Sequence, residues 1–318
     1  MSAARPSIVL FGPQRFEPGV PRRVAEHGLC GPFAAITAGW QEREGEHQEL
    51  MQAVGGEVRN LALHARAEAV FREDPELFAA HRARQDRVRG LQELYRVRVN
   101  HHVAALRAVA QRPVAADLVA AERDDAMASL RRLEDHHLDG LRALHATFEA
   151  ETRFSQRPAV ARHREKIAAE LAGCEALLVA GGHIAVLLNR MRLFSLHELC
   201  EKLPIFAWSA GAMALSDRVV VFHDSPPQGP GNAELFDEGL GLAPGIVVLP
   251  DARHRLRLGD PGRVSLLAQR FAPGLCVALD EPASIELRDG AWVGEGLARK
   301  LGSDGSVTPM PSAEEASG

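Results

Sequence analysis

The sequence predicts an α/β fold: a mostly parallel sheet flanked by helices, interrupted by a long inserted helical hairpin. Short apolar runs ending in glycine recur at intervals that leave room for a helix between them. Between about Ala67 and Phe154 no such run occurs, and after Phe154 the runs resume. Together these observations describe one sheet whose order along the chain is broken by a helical insertion.

Ser7-Ile8-Val9-Leu10-Phe11-Gly12 reads as a first buried strand and Phe33-Ala34-Ala35-Ile36-Thr37-Ala38-Gly39 as a second, with a helix-sized segment between them. A helix from about Glu42 to Val54 should stop at Gly55-Gly56, and Val58-Arg59-Asn60-Leu61-Ala62-Leu63 offers a third strand. Pro75 and Pro113 then each open a long helical pattern at a permitted first-turn position. Apolar residues recur close to every 3.6 positions, at Val88, Leu91, Tyr95, Val99, Val103 and Leu106 on one arm. Leu130, Leu133, Leu138, Leu141, Leu144 and Phe148 form the stripe of the other. At 1.5 Å per residue, arms of roughly 35 residues would project about 50 Å. The two stripes are expected to face each other; the alternatives are a second subunit, giving a homo-oligomer through the hairpin, or a lid over the sheet edge. Mixed charge on the outer faces reads as solvated surface.

Downstream, residues 158–171 read as a helix, Glu175 to the pair Gly181-Gly182 as a strand, and residues 183–200 as a helix. Pro204-Ile205-Phe206-Ala207-Trp208 is the next strand, followed by strands at residues 218–222 and 245–249 around a Pro/Gly-rich loop at residues 225–231. A helix over residues 261–271, a strand over 275–279 and a two-stranded turn about Asp289-Gly290 complete the pattern. Residues beyond Ser303 are small and polar and should fray. The expected organisation is therefore 1–66 and 155–302 as one α/β catalytic-type domain, 67–154 as the inserted hairpin, and 303–318 as a flexible tail.

A chain of 318 residues, 46% hydrophobic, can bury a large core, and a formal net charge of −5 gives no bulk attraction to nucleic acid. Cys30, Cys174, Cys200 and Cys276 stand singly, without disulfide or zinc spacing. The residues from Met1 to Pro6 do not form a charged-then-apolar leader, and no apolar run approaches the roughly 20 residues of a membrane span. A cytoplasmic protein without membrane partners is expected. No HExxH helix is present, and His101, His102, His136, His137 and His145 read as surface or interhelical residues, so no metal site is expected.

Ser209-Ala210-Gly211-Ala212 follows the strand ending at Trp208. A serine there is either a nucleophile lifted out of the sheet on a strand-to-helix turn or a simple helix cap. A serine hydroxyl needs a base, and the base needs an orienting group. His254, in Pro250-Asp251-Ala252-Arg253-His254, and the pair Asp280-Glu281 both follow strand carboxyl ends, where open α/β sheets gather ligands. Gly181-Gly182 and the Ala210 N–H could form an oxyanion hole, or the glycines could only make a tight turn.

Strand-Gly-Gly, Ala-Trp-Ser-Ala-Gly-Ala, Gly-Leu-Gly-Leu-Ala-Pro-Gly-Ile-Val-Val (residues 239–248), a His- and Arg-rich segment and Leu-Asp-Glu occur in that order. This order resembles the serine peptidases that include aspartyl dipeptidase and cyanophycinase, which are similar in fold to class I glutamine amidotransferases. The resemblance implies Ser209 as nucleophile, His254 as general base and Glu281 as orienting acid, with Asp280 as the other candidate acid. It implies no cofactor, and as partner a small peptide or amide substrate. The chain departs from the family at Ala207, at His183 after the glycine pair, and at the arginines flanking His254. Arg253, Arg255, Arg257 and Arg263 suit carboxylate recognition or are plain solvated arginines; His183 is a further substrate-side candidate, and His223 and Asp224 are spare rim candidates. The expected activity is that of a serine hydrolase acting through an acyl-enzyme. The alternative is a catalytically inactive binding or assembly protein that uses the hairpin for interaction.

Overall fold

A computed structural model describes residues 6–224 and 231–316. The loop expected at residues 225–231 therefore lies outside the described residues except for Gly231, as do the first five residues and the last two.

The chain opens with β1 (Ile8–Phe11), α1 (Val20–Glu26), β2 (Phe33–Ile36), α2 (Gln48–Val54), β3 (Val58–Asn60) and α3 (Leu63–Glu73). The hairpin is α4 (Pro75–Ala110) and α5 (Ala116–Thr152). There follow α6 (Pro158–Ala172), β4 (Ala176–Val179), α7 (Ile184–Leu193), α8 (Leu196–Leu199), β5 (Ile205–Trp208) and α9 (Ala210–Leu215). The last third holds β6 (Arg218–Val221), β7 (Glu234–Glu238), β8 (Ile246–Pro250), α10 (Ala252–Arg255), α11 (Pro261–Phe271) and β9 (Leu275–Leu279). It closes with β10 (Ser284–Arg288), β11 (Ala291–Glu295), β12 (Arg299–Leu301), β13 (Val307–Pro309) and α12 (Ala313–Ala316).

The larger sheet has the order β11-β10-β1-β5-β4-β2-β3, with β1, β5, β4, β2 and β3 parallel and the β10–β11 pair antiparallel at one edge. A second sheet runs β13-β12-β9-β8, and β6 pairs with β7 in a separate ribbon. The fold is thus α/β with a mostly parallel sheet flanked by helices. Side chains alternate across each strand with period two. Leu10, Ile36, Val179 and Ala207 face the helices α3, α6, α7 and α9, while Val9, Phe33, Leu178 and Phe206 pack on the opposite side with α1. In the second sheet Ile246, Val248, Val277 and Leu279 join the first group, and Val247, Leu249, Cys276 and Ala278 face α11 and the hairpin. Three apolar layers therefore stack across two sheets, and each fully buried Phe or Leu contributes about 1.5–3 kcal/mol.

Asp74 caps α4 by accepting the Leu77 N–H at 2.9 Å, with Pro75 in the first turn as expected. Pro113 does not open the second arm: Ala115 is still extended at φ −54° and ψ 135°, and α5 starts one residue later. The stripes meet each other, but they also meet the second sheet. Tyr95, Val99, Val103, Leu130 and Leu133 share one apolar cluster with Val247, Leu249, Val264 and Phe271. The middle and outer part of the hairpin therefore lies along β7 and α11 rather than projecting freely. Helix 183–200 is broken at Ser195, whose φ of +47° ends α7 and starts α8. Residues 303–316 do not fray as expected: β13 pairs with β12, and Met310 is buried against β11. Among the described residues no helix is long and apolar enough to cross a membrane.

Burial holds two imidazoles neutral, pushing His81 down to about 3 and His137 to about 4. Both folded values lie below that of an unfolded chain, about 6.5, so the unfolded state takes up protons first as the pH falls. This stabilisation is whole above pH ~6.5 and is lost as the pH drops towards 4 and then 3. Urea midpoints should therefore fall in order at about pH 7.5, 6 and 5; a flat profile across that range would contradict the burial of these rings.

Candidate active site

The carboxyl ends of β1, β5, β4 and β2 form one rim, and Ser209 stands on it directly after β5. Its backbone is at φ +50° and ψ −121°, a conformation that L side chains rarely adopt and that folded proteins keep mainly at functional turns. Packing enforces it. A Cβ on Gly211 would lie 2.3 Å from the Val179 carbonyl oxygen, so only glycine lets α9 start this close to β4. A Cβ on Gly181 would lie 2.8 Å from the Ser209 Cβ, so the glycine pair brings the β4 turn against the serine itself.

This geometry sets aside the helix-cap reading of Ser209. Ser209 occupies the position before α9 but makes no side-chain capping bond, and its hydroxyl has no hydrogen-bond partner among the described residues. The Gly182 and Ala210 N–H groups likewise have no recorded backbone or side-chain acceptor among the described residues, as an oxyanion hole requires before substrate arrives. Gly182, at φ +119°, approaches Gly39 so closely that a Cβ would lie 2.5 Å from the Gly39 oxygen, and the His183 N–H donates to that oxygen at 2.8 Å. His183 itself caps α7, its Nδ1 accepting from Val186 N at 3.4 Å, and its side chain is exposed at the rim.

His254 sits on α10, just after β8, and is exposed. Its Nδ1 donates to Asp251 Oδ1 at 2.6 Å, leaving Nε2 as the ring nitrogen that can face a partner. A series of contacts leads from the serine to this helix. The Ser209 N–H donates to Phe11 O at 3.2 Å, Gly12 packs against the Leu279 and Asp280 backbone, and Asp280 Oδ1 accepts the Arg253 N–H at 2.9 Å. No hydrogen bond joins His254 to the Ser209 hydroxyl.

Glu281 does not orient His254. Its Oε1 accepts the Phe16 and Glu17 N–H groups at 2.5 and 2.6 Å, so it braces the loop after β1. Asp280 is buried, held by Arg299 at 2.6 Å and by the start of α10, and so positions that helix instead of touching the imidazole. The carboxylate on His254 is Asp251, three residues earlier on the same turn. Arg255 lies 3.5 Å from Asp251, and Arg253 is exposed beside it. Arg257 lines a different cleft of about 290 Å³ with Arg107, Asn232 and Arg263. Asp224 pairs with Arg263 and accepts the Arg257 N–H at 2.8 Å, so its role is to tie that loop. His223 is exposed beyond the end of β6.

Sequence reasoning missed three further rim features. Gln41, after β2, has φ +59° and ψ −122°, nearly the backbone of Ser209, and Trp40 precedes it. Gln14 Oε1 accepts the Gly19 and Val20 N–H groups at 2.6 and 3.0 Å, fixing a loop from which Phe16 projects almost fully into solvent. Trp208 lies next to Ser209. Among the described residues no group of three or more His, Cys, Asp or Glu side chains is placed to hold a metal ion.

No family model matches the chain, and no curated protein matches it. Among solved structures the chain is similar to a peptidase from an acI-B1 Actinobacterium, at 13% identity and a TM-score of 0.48, covering 97% of this chain and 95% of that one. It is also similar to a protein from Listeria monocytogenes EGD-e bearing the name peptidase E, at 12% identity and a TM-score of 0.44, covering 92% of this chain and all of that one.

Proposed function

We propose that the protein is a serine-type hydrolase that cleaves a small peptide or a related amide through an acyl-enzyme on Ser209. The observation that carries this reading is the strained, uncapped Ser209 turn, which positions a hydroxyl at the rim with no structural bond to make.

In the proposed reaction the Ser209 oxygen attacks the substrate carbonyl as its proton passes to His254 Nε2, and the ring is held through Nδ1 by Asp251. The carbonyl oxygen becomes an oxyanion facing the Gly182 and Ala210 N–H groups. Collapse expels the amine, which takes the proton from His254; water then adds with the same base and releases the acid. Since His254 is exposed and makes no bond to Ser209 here, closure of α10 onto the rim by substrate is part of the proposal. Arg253 and Arg255 would meet a substrate carboxylate, favouring acidic or isoaspartyl peptides or a free C-terminus.

A screen of dipeptides, acidic and isoaspartyl peptides and simple amides, with fluorophosphonate labelling read by intact mass, tests the reading. Labelling at Ser209 with turnover of at least one amide is expected. Absence of both would favour the second reading, an inactive binding or assembly protein, which the exposure of His254 motivates.

Asp251→Ala should slow fluorophosphonate labelling by roughly 10- to 100-fold, because the imidazole loses the group that fixes its orientation. Glu281→Gln keeps an acceptor for the Phe16 and Glu17 amides and should label within about twofold of the parent. Labelling rates compared side by side at one pH check both, and the reverse order would restore Glu281 as the acid.

A further inference from the structure

A cavity of about 750 Å³ opens at the end of the molecule opposite the Ser209 rim. Gly245 and Gly274, just ahead of β8 and β9, line it, whereas Pro250 and Leu279 at the other ends of those strands lead to α10 and the rim. Arg84, Arg142 and His145 from the two hairpin arms and Arg192 from the last turn of α7 form much of the remaining wall.

Arg84 is the member that needs explaining. It is 8% exposed, one terminal nitrogen donates to Asn189 Oδ1 at 2.8 Å, and its guanidinium carbon lies 4.3 Å from the Phe148 ring centre. Its Nε has no partner, and no carboxylate among the described residues pairs with it. Burial and the neighbouring Arg192 guanidinium push its pKa down to about 10. The one carboxylate that acts on it, Asp237, is not in contact with it and is already held by Arg192 and His145, and a buried cation without a paired carboxylate is costly unless an anion meets it.

Most other charges nearby are already matched. Arg192 reaches Asp237 at 2.7 Å, and His145 Nε2 shares that carboxylate at 2.8 Å. Glu238 receives Arg142 at 2.7 Å, Glu198 receives Arg164 at 2.5 Å, and Asp217 accepts the Gly245 N–H at 2.7 Å. Glu149 is exposed at the edge. His145 Nδ1, on the same wall as Arg84, is buried without a partner and is a second polar atom available to a ligand.

We propose that this cavity is a binding site, separate from the Ser209 rim, for the anionic group of a small molecule, a carboxylate or phosphate received by the Arg84 guanidinium. A planar guanidinium fork suits either group, and the cavity has room for a metabolite-sized remainder.

Calorimetric titration of the full chain with inorganic phosphate, and separately with succinate, at ionic strength held constant with sodium chloride, tests it. Saturable binding of at least one is expected in the parent and equally in Ser209→Ala, and the arm that binds identifies the group. Arg84→Met should weaken that binding about tenfold or more. Arg84→Lys covers a failure of Arg84→Met to fold: it keeps the charge but loses the fork, and should bind at least about threefold more weakly. Binding by neither anion, or affinity unchanged in whichever Arg84 variant folds, overturns the proposal. The Ser209→Ala arm keeps this result independent of the hydrolase reading.

Discussion

Ser209→Ala is expected to lower turnover of any amide the protein cleaves by on the order of 10⁴- to 10⁶-fold and to abolish fluorophosphonate labelling, with the fold intact. The size follows from the role: without the oxygen there is no acyl-enzyme, and only the oxyanion hole and substrate positioning remain. The fold should survive because the hydroxyl makes no bond that alanine would break, so stability should stay within about 0.5 kcal/mol. Ser209→Gly separates strain from chemistry. Glycine accepts φ +50° without a clashing Cβ, so this variant should be equally inactive yet more stable, by about 1 kcal/mol. Thermal unfolding beside the activity assay reads both effects. A Ser209→Ala protein with parental turnover would end the mechanism, and a glycine variant less stable than the alanine one would deny the strain.

The second large effect concerns the tie between the hairpin and α11. Arg270 and Glu134 are fully buried, joined at 2.6 and 2.9 Å, and the Tyr95 hydroxyl donates to Glu134 at 2.6 Å while accepting the Leu235 N–H at 3.1 Å. Burial and the Glu134 carboxylate push the Tyr95 hydroxyl well above the usual phenol range, so it stays a donor at any working pH. His137 stacks on the Tyr95 ring at 4.0 Å. Removing one partner leaves a naked charge in a dry interface, so Glu134→Ala or Arg270→Ala should each cost about 3–5 kcal/mol. In a chain of this size that lowers the melting temperature by roughly 4–8 °C. Glu134→Leu combined with Arg270→Met removes both charges at similar volume and should recover most of the loss. A double variant no better than either single one would show that the pair is favourable in its own right. The same tie argues against the hairpin swinging as a lid, since opening it would expose this pair.

Strands buried on both faces were legible in the chain: Ile8–Phe11, Phe33–Ile36, Ala176–Val179, Ile205–Trp208 and Leu275–Leu279 carry four or five consecutive apolar residues. β7 was not, because Glu234-Leu235-Phe236-Asp237-Glu238 alternates charge with apolar residues, and its acids face the hairpin arginines that only the fold supplies. β12 and β13 were hidden by their length of three residues and by polar neighbours. At the rim, Ser209 and the glycine pair were readable because backbone geometry leaves a mark in local sequence. The expected partner of His254, Glu281 with Asp280 as the other candidate, came from the resemblance, whereas Asp251 is marked in the sequence only by standing three residues before the histidine; the loop amides of Phe16 and Glu17 show where Glu281 is committed instead. Arg84 gave no signal at all, since its lack of a carboxylate in contact is a property of segments spread from residue 84 to residue 274.

The placement of Trp40 and Trp208 at the β2 and β5 ends gives the protein a built-in optical reporter. Of its three tryptophans, two border the proposed reaction centre, while Trp292 donates to the Pro244 carbonyl at 3.0 Å from the far edge strand. Trp292 thus stands one residue from Gly245 on the wall of the far cavity, so a Trp292→Phe protein keeps emission only from the pair at the rim and would report compounds entering there without any label.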